Sequence, residues 1–251
     1  MKNKKILLII FIFTCAGLLS SIKTYAESNY KSATYTSFIN HEMYKWENII
    51  HNFETNNPPT TIEQYLELID YYYGFTSYLI GRKQLETAEK NIEKANKLIA
   101  LVLKKSPKNA TAYSYKGAFI GLSIGINRFK AIFLGSESSA NVNKAYGLDP
   151  QNIQANIDKG NILYYSPSVF GGDKKEALKF YIKAAKIIEA KKDTYQNWAY
   201  LNLLTNTALA YEKTEQPHLA KLIFEKILQI EPNYYRVKVD LYPKFLTKHK
   251  M

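Results

Sequence analysis

Ser166-Pro-Ser-Val-Phe-Gly-Gly-Asp-Lys-Lys-Glu-Ala-Leu-Lys-Phe-Tyr-Ile-Lys-Ala184 is a turn followed by a helix whose pattern recurs along the chain. Pro167 fixes its own φ, and Gly171 and Gly172 open backbone angles closed to other residues, so a sharp reversal is expected before the helix restarts. Asp173 is placed to cap the first turn, with Glu176 in the position of a capping-box partner. Ala177, Tyr181 and Ala184 then share one face, two small residues around one ring, which lets a neighbouring helix approach closely. Ala88, Ile92 and Ala95 repeat that spacing. The expectation is an all-α chain of stacked helical hairpins.

The first residues read as an address. Lys2, Lys4 and Lys5 precede an apolar run from Ile6 to Leu19 that is short for a bilayer span, and Thr24-Tyr25-Ala26 ends on a small residue. Residues 1–26 are therefore expected to be a cleaved export signal, with the periplasm as destination. The competing reading lipidates Cys15, but Thr14 is unusual before such a cysteine and the sequence stays apolar after it. Cleavage removes the chain's single cysteine, leaving neither disulfide nor thiol nucleophile. The net charge of +12 falls to +8, because four lysines and no acid lie in the signal. That balance suits solvated lysine faces, acidic partners or an anionic membrane surface. Export argues against nucleic acid, and no span is expected in the mature chain.

From Ser28 to Phe53, Tyr35, Phe38, Ile39, Trp46, Ile49, Ile50 and Phe53 recur at helical intervals, which predicts one amphipathic capping helix within 27–59. Asn57-Pro58-Pro59 stops it, and Thr60 with Glu63 predicts a capping box for a helix from about Thr61 to Ile80. Hairpins are expected over 60–107, 108–150, 151–191 and 193–234, with a tail over 235–251 that forms a short helix through Val237, Leu241 and Phe245. Asn109 and Asn152 stand as helix caps. Gly117 and Gly160 each fall seven residues into a helix, where glycine costs about 1 kcal/mol against alanine, so close helix partners are expected at both.

The last hairpin carries the most specific spacing: Leu204-x2-Thr207-Ala208-x2-Tyr211, then Ala220-x3-Phe224, Ile227 and Pro232. On this spacing the chain resembles the tetratricopeptide-repeat family, closely over 201–234 and loosely over 61–200. The resemblance implies a right-handed α-solenoid of about four hairpins. Pro107 to Pro150 is 43 residues and Pro150 to Pro232 is 82, so the units run longer than the family's roughly 34. The turn from Pro167 to Tyr181 is also similar to exported bacterial proteins of this type, including the T-component associated with tripartite ATP-independent periplasmic transporters. That second resemblance implies a small apolar ligand held in a channel, here near Gly117, Gly121, Gly125 and the Phe170-Gly171-Gly172 loop.

In the family the first helix of each hairpin lines a concave groove. Carried over, the groove residues are Gln154, Ile157, Asn161 and Tyr164 from one unit and Asn202, Thr205, Leu209 and Glu212 from the next. Amides with a few apolar groups suit an extended peptide. The family's lysine and asparagine clamp for a terminal carboxylate is absent, since Ile157 and Thr205 stand where its lysine would be. His41, His51, His218 and His249 lack metal-site spacing, and no G-x-S-x-G, P-loop or paired carboxylates stand out. The expected function is non-catalytic and cofactor-free: a scaffold for a protein or peptide partner. The alternative is the apolar-ligand carrier, and an enzyme would need a buried charged cluster.

Overall fold

The computed structural model describes residues 29–251, so the expected export signal lies outside the described residues. A first helix, α1, covers 29–39 and is followed by α2 (Trp46–Asn56). Four hairpins follow: α3 (Ile62–Gly81) with α4 (Leu85–Lys105), α5 (Ala110–Ile126) with α6 (Ala131–Leu148), α7 (Ile153–Tyr165) with α8 (Lys174–Ala190), and α9 (Trp198–Lys213) with α10 (Pro217–Ile230). A π-helical turn (Arg236–Leu241) leads into α11 (Tyr242–His249). The described residues form no strand, and none of their helices is long and apolar enough to cross a membrane. The chain is an all-α helical-repeat solenoid.

Side-chain caps set the starts of α3, α5, α7, α8 and α9. Asn109 and Asn152 accept from the backbone nitrogens of Ala112 and Ala155 at 2.8 and 2.9 Å, and Asp173 accepts from Lys175 and Glu176. Asn197 caps α9 in the same way, accepting from Tyr200. The capping box of α3 is shifted one residue from the expected one. Thr61 is the cap and Gln64 its partner, while Thr60 also donates to the Gln64 side chain.

The single helix expected over 28–53 is two helices. The chain breaks at Asn40-His41, where His41 takes φ 62°, and re-enters through a 3-10 turn at Met43–Lys45. The indole nitrogen of Trp46 donates across the break to the carbonyl of Thr34 at 3.2 Å. Both halves bury their apolar face in one core, so the helical periodicity runs through the break unaltered.

This N-terminal hairpin joins the two ends of the solenoid. While α2 lies on α3, α1 lies on the last hairpin: Lys31 pairs with Asp193 at 3.1 Å, and the Tyr35 hydroxyl donates to Glu231 at 2.8 Å. The Phe38 ring meets Trp198 and Tyr234 at 5.7 and 5.0 Å. Trp46 and Trp198 cross edge to face at 5.1 Å, over Gly74, where an added Cβ would lie 2.6 and 2.8 Å from the two indoles. The tail helix α11 packs on α10 through Phe224, Tyr242 and Phe245.

Close approach also explains the mid-helix glycines. A Cβ on Gly117 would lie 2.6 Å from Val142 Cγ2 and 2.7 Å from the Ser138 carbonyl oxygen, and one on Gly160 would lie 2.4 Å from the fully buried Tyr181 ring. Alanine at 160 gains about 1 kcal/mol of helix propensity, but overpacking against the ring costs roughly 3 kcal/mol. Gly160→Ala is therefore expected to lower unfolding free energy by about 2 kcal/mol in urea titration, where propensity alone would raise it.

Candidate functional site

The first helices of the four hairpins, α3, α5, α7 and α9, share a polar network. Asp70 accepts from the Tyr115 hydroxyl at 2.7 Å and from the Trp198 indole nitrogen at 3.0 Å. Asp158 accepts from Ser114 at 2.6 Å, Gln154 at 2.9 Å and Asn161 at 3.2 Å. All four carboxylate oxygens thus have protein donors. Burial pushes both acids up, Asp70 to about 6 and Asp158 to about 7, although those hydrogen bonds pull the other way. The buried Asp158 and the half-buried Asp70 form an acidic pair that the sequence alone does not single out. Asp158 sits between Ile157 and Asn161 on the helix face read as a groove.

That network occupies much of the predicted groove. Asn161 donates to Tyr73 at 3.2 Å as well as to Asp158, and accepts from Tyr181 at 2.8 Å. Both of its amide hydrogens are committed within the chain, which leaves no donor for a peptide carbonyl. Gln154, Ile157 and Thr205 are buried, and the Thr205 hydroxyl turns back to the Leu201 carbonyl. Glu212 accepts from Lys248 at 2.7 Å and meets His249 at 3.1 Å, both from α11. Tyr164, Asn202 and Leu209 remain partly accessible. The structure therefore places three of the eight predicted groove residues at an available rim without an intramolecular polar commitment of this kind. Among the glycines, Gly117 is closed by α6, a Cβ on Gly121 would lie 3.7 Å from Ser138 Oγ, and Gly125 faces open space. The stripe is thus a helix contact at its Gly117 end, and Phe170 stands exposed rather than lining a channel.

A second site lies on the other face, where sequence reasoning did not look. Here α2 and α4 form two walls over a floor of Tyr72 and Phe75 from α3. One part, of about 280 Å³, is lined by Glu47, His51, Glu54, Asn91 and Lys94 among others. The adjoining part, of about 600 Å³, shares Glu47 and Phe75 and runs past Tyr44 and Tyr78 to Lys83 and Gln84. Glu54 binds the walls together at one point, accepting from Tyr72 at 2.6 Å and Lys94 at 3.5 Å. Asn91 is buried, and its side-chain nitrogen has no hydrogen-bond partner. An orphaned buried donor is costly unless something occupies the site, at about 1–3 kcal/mol. The signal in sequence is slight: one asparagine within the apolar stripe of Ala88, Ile92 and Ala95.

Among the described residues, no group of three or more His, Cys, Asp or Glu side chains could hold a metal ion. No family model matches the chain and no curated protein matches it. Solved structures do. TTC0263, a thermophilic TPR protein of Thermus thermophilus, matches with TM-score 0.52 at 12% identity, over 88% of this chain and 99% of that one. Pseudomonas aeruginosa PilF gives TM-score 0.46 at 19% identity over 72% and 69%. A chain of the APC/C hetero-tetramer Cut9-Hcn1 gives 0.36 at 14% over 87% and 42%. The Thermus protein, at this level of identity, speaks to fold, and it agrees with the spacing of α9 and α10: the chain has the tetratricopeptide-repeat fold.

Proposed function

We propose that this chain is an exported, non-catalytic scaffold that seats a segment of a partner protein in the groove between α2 and α4. The observation that carries the reading is Asn91, a buried amide nitrogen without an acceptor in a groove with an aromatic floor. A small outward turn of the Asn91 side chain lets a backbone carbonyl of an entering segment supply that acceptor, and the half-buried Tyr78 meets its side chains. At the rim, Glu47 and Lys83 have no ion-pair partner among the described residues, which suits a segment carrying both signs of charge. Such a groove uses the solenoid as a rigid display of many modest contacts.

The test is photo-crosslinking in the producing cells, with benzoylphenylalanine at Glu47 and, separately, at the concave-rim residue Asn202. The groove reading expects a protein adduct from position 47 that falls about tenfold on Asn91→Leu at unchanged helicity. An adduct from 202 and none from 47 transfers the partner to the concave rim and overturns the groove. Export is checked by the mass of the mature chain, which is expected to begin at Glu27.

A further inference from the structure

Successive hairpins stack in the same orientation, so the turns from first to second helix lie along one edge of the solenoid. Two adjacent turns on that edge carry large apolar side chains into solvent. At the passage from α5 into α6, Phe129 in the turn and Ile132 and Phe133 in the first turn of α6 are 80%, 76% and 77% exposed; between α7 and α8, Val169 and Phe170 are 83% and 79% exposed. These five are the most exposed large aliphatic and phenylalanine side chains among the described residues, and exposed apolar groups clustered on one edge mark a contact surface.

Charge accompanies them. Arg128, Lys174 and Lys175 flank the tips and are exposed, and Lys130 lies on the same edge, reaching back to Glu89 at 3.4 Å. Two of the acids nearby are engaged, Asp173 capping α8 and Glu176 pairing with Lys179, while Glu137, one turn beyond Phe133 on α6, is exposed. Across the whole chain 34 basic residues face 22 acidic ones. The edge is thus apolar at its tips and basic just behind them.

The tips are also held in place. Gly172 donates to the Pro167 carbonyl at 3.0 Å and Asp173 to that of Leu163 at 2.9 Å. Gly171 takes φ 82°, and a Cβ on Gly172 would strike the Ser166 carbonyl. A turn so tightly closed points Val169 and Phe170 outward.

We propose that this edge seats in the headgroup layer of an anionic phospholipid bilayer, with Phe129, Ile132, Phe133, Val169 and Phe170 entering the acyl boundary. The basic residues behind them then meet lipid phosphates. A folded protein would need a matched pocket for each projecting tip, whereas a bilayer accepts separate projections at one depth. This surface is distinct from the groove between α2 and α4, so either can fail alone.

The test introduces a reporter at the tip of the full chain, Phe170→Trp. The native tryptophans, Trp46 and Trp198, are buried, so a lipid-dependent blue shift comes from position 170. Adding vesicles of phosphatidylcholine with phosphatidylglycerol is expected to shift the emission and to make it quenchable by brominated acyl chains. Vesicles of phosphatidylcholine alone, or high salt, are expected to leave about a tenth of the effect. Phe129→Ser with Phe133→Ser in the same background should weaken the vesicle titration about tenfold at unchanged circular dichroism. An unshifted emission while the chain sediments with vesicles overturns the proposal, since attachment then lies elsewhere. An equal shift on neutral vesicles overturns the anionic assignment, and a titration untouched by the double substitution overturns the shared edge.

Discussion

Trp198→Ala is expected to destabilise the chain by about 4 kcal/mol, which is the range for removing a buried tryptophan. The ring touches three separate parts of the fold: Trp46 and Phe38 edge to face, and the Gly74 backbone beneath it. Truncation opens a cavity where the N-terminal hairpin, the first repeat and the last repeat meet. It also takes from half-buried Asp70 one of its two donors, a further cost of about 1 kcal/mol. Trp198→Phe separates the two effects, keeping much of the ring and losing the indole N–H. Urea titration should place it between wild type and alanine. A shift under about 1 kcal/mol for alanine contradicts this account of how the ends are held.

The second large effect is on pH. Asp70 and Asp158 lie at about 6 and about 7, against about 3.9 for aspartate in an unfolded chain. Between these limits the folded state binds more protons than the unfolded one, so stability falls as pH rises. The decline begins near pH 4 and is complete above about 7, and a displacement of two units corresponds to about 3 kcal/mol. The chain is therefore expected to be more stable at pH 5 than at pH 8 by a few kcal/mol, the reverse of a protein whose acids are paired with bases. Asp158→Asn removes the titrating group and should flatten the upper part of the slope. Denaturant midpoints across pH 4 to 8 read this directly. A midpoint that rises through the window contradicts the buried-acid description.

What the sequence shows well is what neighbouring residues decide. Asn109, Asn152 and Asp173 cap the helices they precede because a cap needs only its own first turn. Gly117 and Gly160 are legible for another reason: a residue that weakens its helix marks a close contact, and α6 and the Tyr181 ring supply it. Thr60 and Thr61 each fit a capping box, with Glu63 and Gln64 in turn, so pattern alone does not choose between them. The break at His41 is hidden because Phe38 and Trp46 point into the same core.

The candidate site was harder to read because its meaning depends on distant partners. The face of Gln154, Ile157 and Asn161 has the composition of a peptide groove, but α3 and α5 bring Tyr73 and Ser114 onto it and use its polar atoms. Contacts between residues 162 and 196 positions apart, Lys31 with Asp193 and Tyr35 with Glu231, hold α1 on the last hairpin. No periodicity reports such pairs. Asn91 looks like one polar interruption in an apolar stripe until α2 is placed opposite it across the groove.

Closure of the solenoid by α1 is the central claim, since it gives the network and the groove their places. Zero-length carbodiimide coupling of the full chain, read by peptide mass spectrometry, tests it most directly. Lys31 and Asp193 are both accessible and 3.1 Å apart, and Lys226 with Glu189, at 2.8 Å, is a control that α1 does not touch. The account predicts a Lys31–Asp193 amide alongside the Lys226–Glu189 one. The control link without any Lys31–Asp193 link would show α1 detached and the solenoid open.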